Sequence, residues 1–257
     1  MSVALSKKIK KIEKKPFLYR CIFGTFRSFY KRRKIIGLEN LPLDKAIVVG
    51  NHAQAHGPLF SELYFPTKKA IWCAGEMMKA KEVPAYAYKD FWSLKPKWIR
   101  WFYKIVSFVI APLCAFVFSN ADTIGVYKDS RLMGTFKKSV NALKNGTNVI
   151  IFPEERTPYN EIVNEFQDKF VDVAKLYYAL AREVISFVPM YHAPSLKTVV
   201  FGEPISYNPD LAIDEQRSVV CEHIKQEITR LARGLSVHRV TPYLNVKKKH
   251  YPMSKQR

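Results

Sequence analysis

The chain has 257 residues, 48% of them hydrophobic and 14% aromatic, and its 42 Lys and Arg outweigh 22 Asp and Glu to give a formal charge of +20. That length suits one sizeable α/β domain with a single core better than two small ones, and the apolar content excludes a disordered chain. A cationic surplus of this size implies an anionic partner: lipid headgroups, nucleic acid or a phosphorylated substrate.

Twelve cations between Lys7 and Lys34 face only Glu13, and Lys247, Lys248, Lys249, Lys255 and Arg257 form a second cluster at the other end. The basic start is not followed by the continuous apolar stretch of a secretory signal, so nothing points to export. From Pro16 onward, Leu18, Ile22, Phe26 and Phe29 recur at helical spacing, with Arg20, Arg27 and Lys31 around them. This predicts a basic, aromatic-rich amphipathic helix. It would lie in a bilayer interface with its cations near anionic headgroups, or its apolar stripe would pack on the domain.

Ala46 to Gly50 reads as a buried strand leading into the Asn51-His52 loop. Lys97 to Lys104 (K-W-I-R-W-F-Y-K) interleaves aromatics with cations, which suits a headgroup boundary or base stacking. The apolar run Ile105 to Phe118 has 14 residues and contains Ser107 and Pro112. A spanning helix needs roughly 20, so the run is expected to be buried core or an interfacial segment.

Leu132, Phe136, Val140 and Leu143 predict a helix ended by a left-handed cap at Asn145-Gly146. Asn148 to Phe152 is a buried strand stopped by Pro153. Phe166, Phe170, Val173, Tyr177 and Ala181 mark a further helix, Val184 to Val188 and Thr198 to Phe201 read as strands, and Val220 to Leu235 carries a long amphipathic helix. Strands alternating with helices predict an α/β fold, a largely parallel sheet flanked by helices, with functional loops at the carboxyl ends of its strands. The expected organisation is a membrane-docking segment over 1–35, an α/β domain over 36–240 and a basic tail over 241–257.

Cys21, Cys73, Cys114 and Cys221 lie far apart with no C-x-x-C pair and no histidine at ligand spacing. Neither a disulfide framework nor a zinc site is expected, and a reducing, cytoplasmic setting is the default.

Three stretches place polar groups just past an apolar strand: G-N-H-A-Q-A-H-G at 50–57, I-F-P-E-E-R-T-P at 151–158 and F-V-P-M-Y at 187–191. In order and approximate spacing they resemble the lysophosphatidate and glycerol-phosphate acyltransferase family, over residues 46 to 205. Asn51-His52 is similar to the family's first block, Gly125 with Lys128 to its second, Phe152-Pro153-Glu154 to its third and Val188-Pro189 to its fourth.

The resemblance implies a glycerol-phosphate-acyltransferase-like fold and an enzyme of phospholipid biosynthesis, on the cytoplasmic face of a membrane as a peripheral or monotopic protein. It would move a fatty acyl group from acyl-CoA or acyl-carrier protein to a lysophospholipid-like hydroxyl, with no metal or organic cofactor. His52 would be the general base, since only histidine has an ordinary pKa near neutrality. Two departures stand out. The family's aspartate, five positions after the histidine, is replaced by Gly57, which makes Glu154 or Glu155 the candidate source of the missing charge. In F-P-E-E-R-T, Glu155 stands where the family has Gly, and Arg156 comes one position early.

The residues expected to contact substrate are Asn51, His56, Lys128, Arg131, Glu155 and Arg156, with His52 and Glu154 carrying the chemistry. His56 follows His52 at i+4, but Gly57-Pro58 argues against a helical metal pair. Two other readings remain open. A relative impaired by the lost aspartate would bind anionic lipid without turnover. A nucleic-acid-binding protein would explain the charge but lacks a recognisable module, so no nucleic-acid partner is expected.

Overall fold

The computed structural model describes residues 15–92 and 95–255. Lys7 to Lys14 of the basic N-terminal run, and Arg257, lie outside the described residues. In chain order the elements used below are α1 (Phe17–Phe29), β1 (Lys34–Ile36), β2 (Ile47–Gly50), α2 (His56–Tyr64), β3 (Lys69–Ala74), α3 (Val83–Ala87), α4 (Arg100–Asn120), β4 (Thr123–Val126), α5 (Leu132–Lys144), β5 (Asn148–Ile151), β6 (Glu154–Pro158), β7 (Asn164–Phe166), α6 (Asp172–Ala181), β8 (Ser186–Ala193), β9 (Thr198–Phe201), β10 (Ile205–Ser206) and α7 (Ile213–Gly234). The chain forms two compact units, each discontinuous in sequence. Of the described residues, one takes those up to Tyr30 and within Trp72–Thr135; the other takes Lys31–Ile71 and those from Phe136 onward.

The larger unit is a mixed α/β structure around a mostly parallel sheet flanked by helices. Its strand order is β1-β9-β8-β2-β5-β3, with β10 added on β8. β2 runs parallel to both β5 and β8, and β3 parallel to β5, while β8 and β9 form an antiparallel pair. Ile47–Gly50 and Asn148–Ile151 are buried at every position, as central parallel strands covered on both faces require. This is why they read as continuous apolar runs without alternation. α5 ends as expected, with Gly146 at φ +63 donating its N–H to the Leu143 carbonyl.

Two local expectations are corrected. Phe166 does not open a helix: its backbone pairs with Glu154 in the β6–β7 hairpin, and α6 begins only at Asp172. The strand expected over Val184 to Val188 continues through Pro189 to Ala193, because β9 pairs with it from Met190 onward.

The other unit holds α1, α3, α4 and β4. Only Tyr19 and Phe23 of α1 are buried, so its inward face differs from the predicted stripe, and Leu18, Phe26 and Phe29 are exposed. Of the two expectations drawn from Ile105 to Phe118, buried core or an interfacial segment, α4 corrects the first. Ser107 and Pro112 lie inside one 21-residue helix, and Ser107 bonds back to the Tyr103 carbonyl while accepting from the Trp92 indole N–H at 2.7 Å. Ser107 and Ala111 are its buried residues, so the run is not core; Trp101, Phe108 and Val109 are 65%, 61% and 73% exposed. Lys97 to Asn120 is long and apolar enough to cross a membrane by length and composition.

Candidate active site

Parallel strands deliver their carboxyl ends to one edge of a sheet, and β2, β5 and β8 are neighbours in this one. The polar residues after β2 and β5 therefore meet. His52 is half-buried just past β2, and its backbone N–H donates to Oε2 of Glu154, the first residue of β6. The other carboxylate oxygen of Glu154 accepts the Asn164 N–H at 3.1 Å. Sequence reasoning brought these two residues together, but the carboxylate grips the His52 backbone amide rather than the imidazole.

The imidazole lies edge-on to two aromatic rings, Phe152 and Tyr243, each with centroids 5.5 Å away. Its Nδ1 is buried and has no hydrogen-bond partner among the described residues. Burial pushes the ring's pKa down, opposed by a weaker interaction with the Gln54 backbone, so His52 is neutral at pH 7 and keeps an acceptor nitrogen. Position 57 has no room for a side chain. A Cβ there would sit 2.9 and 3.0 Å from the Asn51 and His52 carbonyl oxygens and 2.7 Å from the Phe152 ring. The turn has closed onto the place where any side chain at this position would branch.

That turn is strained. Ala53 and Gln54, neither of them glycine, both adopt left-handed backbone at φ 45 and 57. Such residues cost on the order of 1–3 kcal/mol each and persist only where their surroundings fix them. The fixing contacts are the Gly57 N–H on the His52 carbonyl, the His56 N–H on the Ala53 carbonyl and the Gln54 amide on the Tyr251 hydroxyl at 2.8 Å.

Asn51 is fully buried and makes a reciprocal pair with the His192 backbone, donating to its carbonyl and accepting its N–H. It ties the turn to β8, so its amide is committed to the fold and not presented to a ligand. His56 opens α2 and stacks on His192, centroids 6.1 Å apart. Burial and the nearby Arg33 and Lys248 cations hold it below the ordinary imidazole range. Glu155 is exposed, its carbonyl accepting from the Asn164 side chain at 2.8 Å. Arg156 lines a cavity of about 190 Å³ with Pro158, Ile162, Pro242 and Leu244 among its other walls.

Lys128 and Arg131 belong to the smaller unit. Lys128 is exposed; Arg131 is gripped by Asp129 and Glu82 and lies 3.8 Å over the Tyr127 ring, so its guanidinium is already engaged. Among the described residues no group of three His, Cys, Asp or Glu could hold a metal. The residues that sequence reasoning missed are Tyr243 and Tyr251, in a stretch read only as a basic tail, and Asn164, which shares Glu154.

Glu154 supplies a pH test. Burial lifts its pKa to about 7, against the two backbone N–H donors that pull it down. A carboxyl raised in the folded state binds its proton more tightly there. Its contribution to stability is therefore complete below the ordinary value and is lost as pH climbs through about 7. The difference in unfolding free energy between wild type and Glu154→Gln should shrink by roughly 1–3 kcal/mol from about pH 5 to 8 in urea titrations. A pH-independent difference would refute the assignment; subtracting the variant removes the opposing contributions of His52, His56 and His192.

No protein-family model matches this chain, and no curated protein does. Two chains of solved structures match. One is the crystal structure of the 1-acyl-sn-glycerophosphate (LPA) acyltransferase PlsC from Thermotoga maritima, to which this chain is similar at 18% identity and a TM-score of 0.49, over 88% of this chain and 80% of that one.

Proposed function

We propose that the protein is a membrane-associated acyltransferase that moves a fatty acyl group from an acyl thioester, on CoA or a carrier protein, to a lysophospholipid-like hydroxyl. The observation that carries this reading is the convergence of His52 and Glu154 at the carboxyl ends of adjacent parallel strands, within the motif order N-H, F-P-E, V-P. His52 takes the hydroxyl proton as the oxygen attacks the thioester carbonyl, and the thiol leaves as the carbonyl re-forms. A thioester is already activated, so base, positioning and charge stabilisation suffice and no cofactor enters. Glu154 positions the base through its backbone.

Residues 1–35, together with α4, form the docking surface, on the cytoplasmic face as a peripheral or monotopic attachment; 36–240 carries the chemistry and 241–257 adds basic charge. Exposed Phe17, Phe29, Trp101 and Phe108 suit acyl-chain contact. Trp101→Ser with Phe108→Ser should weaken binding to phosphatidylglycerol vesicles by at least about tenfold, since each large apolar group is worth about 1.5–3 kcal/mol when buried. Unchanged flotation would remove α4 from the docking surface, and binding to RNA in place of vesicles would favour the nucleic-acid reading.

The test of the function is product analysis: purified protein with a panel of acyl thioesters and lysophospholipids should yield the diacyl product by mass spectrometry. A second reading is favoured by the Nδ1 of His52, which lacks any carboxylate: a relative that binds anionic lipid without turnover. Vesicle binding with no product from any donor would select it.

A further inference from the structure

The chemistry assigned above makes no use of the C-terminal stretch, yet this stretch is built onto the candidate base. Val240 donates its N–H to the Pro252 carbonyl and Ser254 to the His238 carbonyl, both at 2.9 Å, and Arg239 and Met253 form an antiparallel bridge. Residues 241–251 are thereby closed at the base into a compact surface loop. Near its start, Tyr243 lays its ring against the His52 imidazole, with centroids 5.5 Å apart and planes at 73°. Near its end, the Tyr251 hydroxyl accepts from the Gln54 amide at 2.8 Å, and Gln54 is the left-handed residue two positions past His52. Both ends of one loop thus hold one turn. A second aromatic contact on the same imidazole comes from Phe152, at an interplanar angle of 69°.

We propose that the 241–251 loop is a positioning element of this site, in which the Tyr243 ring, with Phe152, fixes the His52 imidazole where no carboxylate bonds Nδ1. Edge-to-face ring pairs favour one mutual orientation by about 0.5–1.5 kcal/mol beyond burial. Two of them restrict a ring whose Nδ1 has no hydrogen-bond partner among the described residues. Tyr251 acts on the same imidazole by pinning the strained turn that carries it. The proposal rests on the acyltransferase reading only for its kinetic consequence, because ring order is measurable without substrate.

The test is ¹⁵N NMR of imidazole-labelled full-length protein, comparing wild type with Tyr243→Ala, Tyr243→Leu and Tyr243→Phe across about pH 5 to 8. Ring nitrogen shifts report the protonation and tautomer of His52 directly, apart from the charge of Glu154 on its amide and of His56, which Arg33 and Lys248 face. In wild type and Tyr243→Phe the two nitrogens should stay well separated, as in a single neutral tautomer. In Tyr243→Ala they should converge towards the average of exchanging tautomers, with protonation moving up towards the ordinary value. Tyr243→Leu keeps apolar bulk without the ring and should behave as the alanine variant, which preserves the test if the alanine variant does not fold. Leucine indistinguishable from wild type, or phenylalanine indistinguishable from alanine, would overturn the proposal. In acyl transfer, Tyr243→Ala should lower kcat about tenfold with KM unchanged. No transfer by any protein, with the ring shifts as expected, would sink the acyltransferase reading and leave the positioning role standing.

Discussion

Replacing His52 with alanine is expected to lower acyl transfer by roughly 10²- to 10⁴-fold, the usual contribution of a positioned general base. The expectation follows from three facts. The ring is neutral at pH 7 because burial disfavours its charged form, so it can accept a proton without first losing one. It stands at the carboxyl end of a central parallel strand, where α/β sheets place reactive groups. The Glu154 carboxylate bonds the His52 backbone and leaves the imidazole as the group able to act on a hydroxyl. The measurement is single-turnover transfer at saturating acyl donor, so that altered donor binding does not masquerade as altered chemistry. Equal residual rates in wild type and variant would mean that any product arises without this imidazole.

The second large effect concerns Gly57. If the proposed acyl transfer needs a carboxylate near His52, Gly57→Asp would be expected to raise activity. The structure predicts the reverse. The new Cβ would press on two backbone carbonyls within 3.0 Å and on the Phe152 ring. Those carbonyls cannot retreat: that of His52 accepts the Gly57 N–H, and Asn51 is locked to His192. Overpacking of this kind costs about 1–3 kcal/mol, and a buried carboxylate without donors costs more, so a loss of at least about 3 kcal/mol is expected in denaturant unfolding. A variant as stable as wild type and more active would mean that the turn is plastic and that the glycine is a reversible loss.

Much of the fold was legible because central parallel strands are written as apolar runs: Ile47–Gly50, Asn148–Ile151 and Thr198–Phe201 were located to within a residue. The helix cap at Gly146 was readable because only a small local motif is involved. Phe166 was misassigned because an apolar residue one helical turn before a helix looks like part of it, and only its pairing with Glu154 removes the ambiguity. The length of α4 was underestimated because Ser107 and Pro112 look like interruptions, whereas the serine's hydroxyl bonds within the helix and a proline costs only local hydrogen bonding.

In the site, motif order located His52 and Glu154, but not how they touch. A carboxylate's preference between an imidazole and the same residue's backbone amide, three bonds away, is decided by backbone direction, on which sequence spacing is silent. Tyr243 was unreadable for a different reason. It lies about 190 positions along the chain from its partner, in an irregular segment without periodicity, and its neighbours Lys247 to Lys249 drew attention to charge instead.

The two left-handed residues after His52 bear on how this protein would meet its substrates. A turn whose shape is dictated from β6, β8 and the C-terminal loop together cannot open at one contact alone; it is cross-braced, and loosening it means undoing long-range closure of the chain. Under the proposed function, a substrate would meet this turn already shaped, with adaptation left to surfaces farther out. If the protein transfers acyl groups as proposed, changing its preference calls for changes at that periphery, because a redesign aimed at the turn itself would disturb folding first.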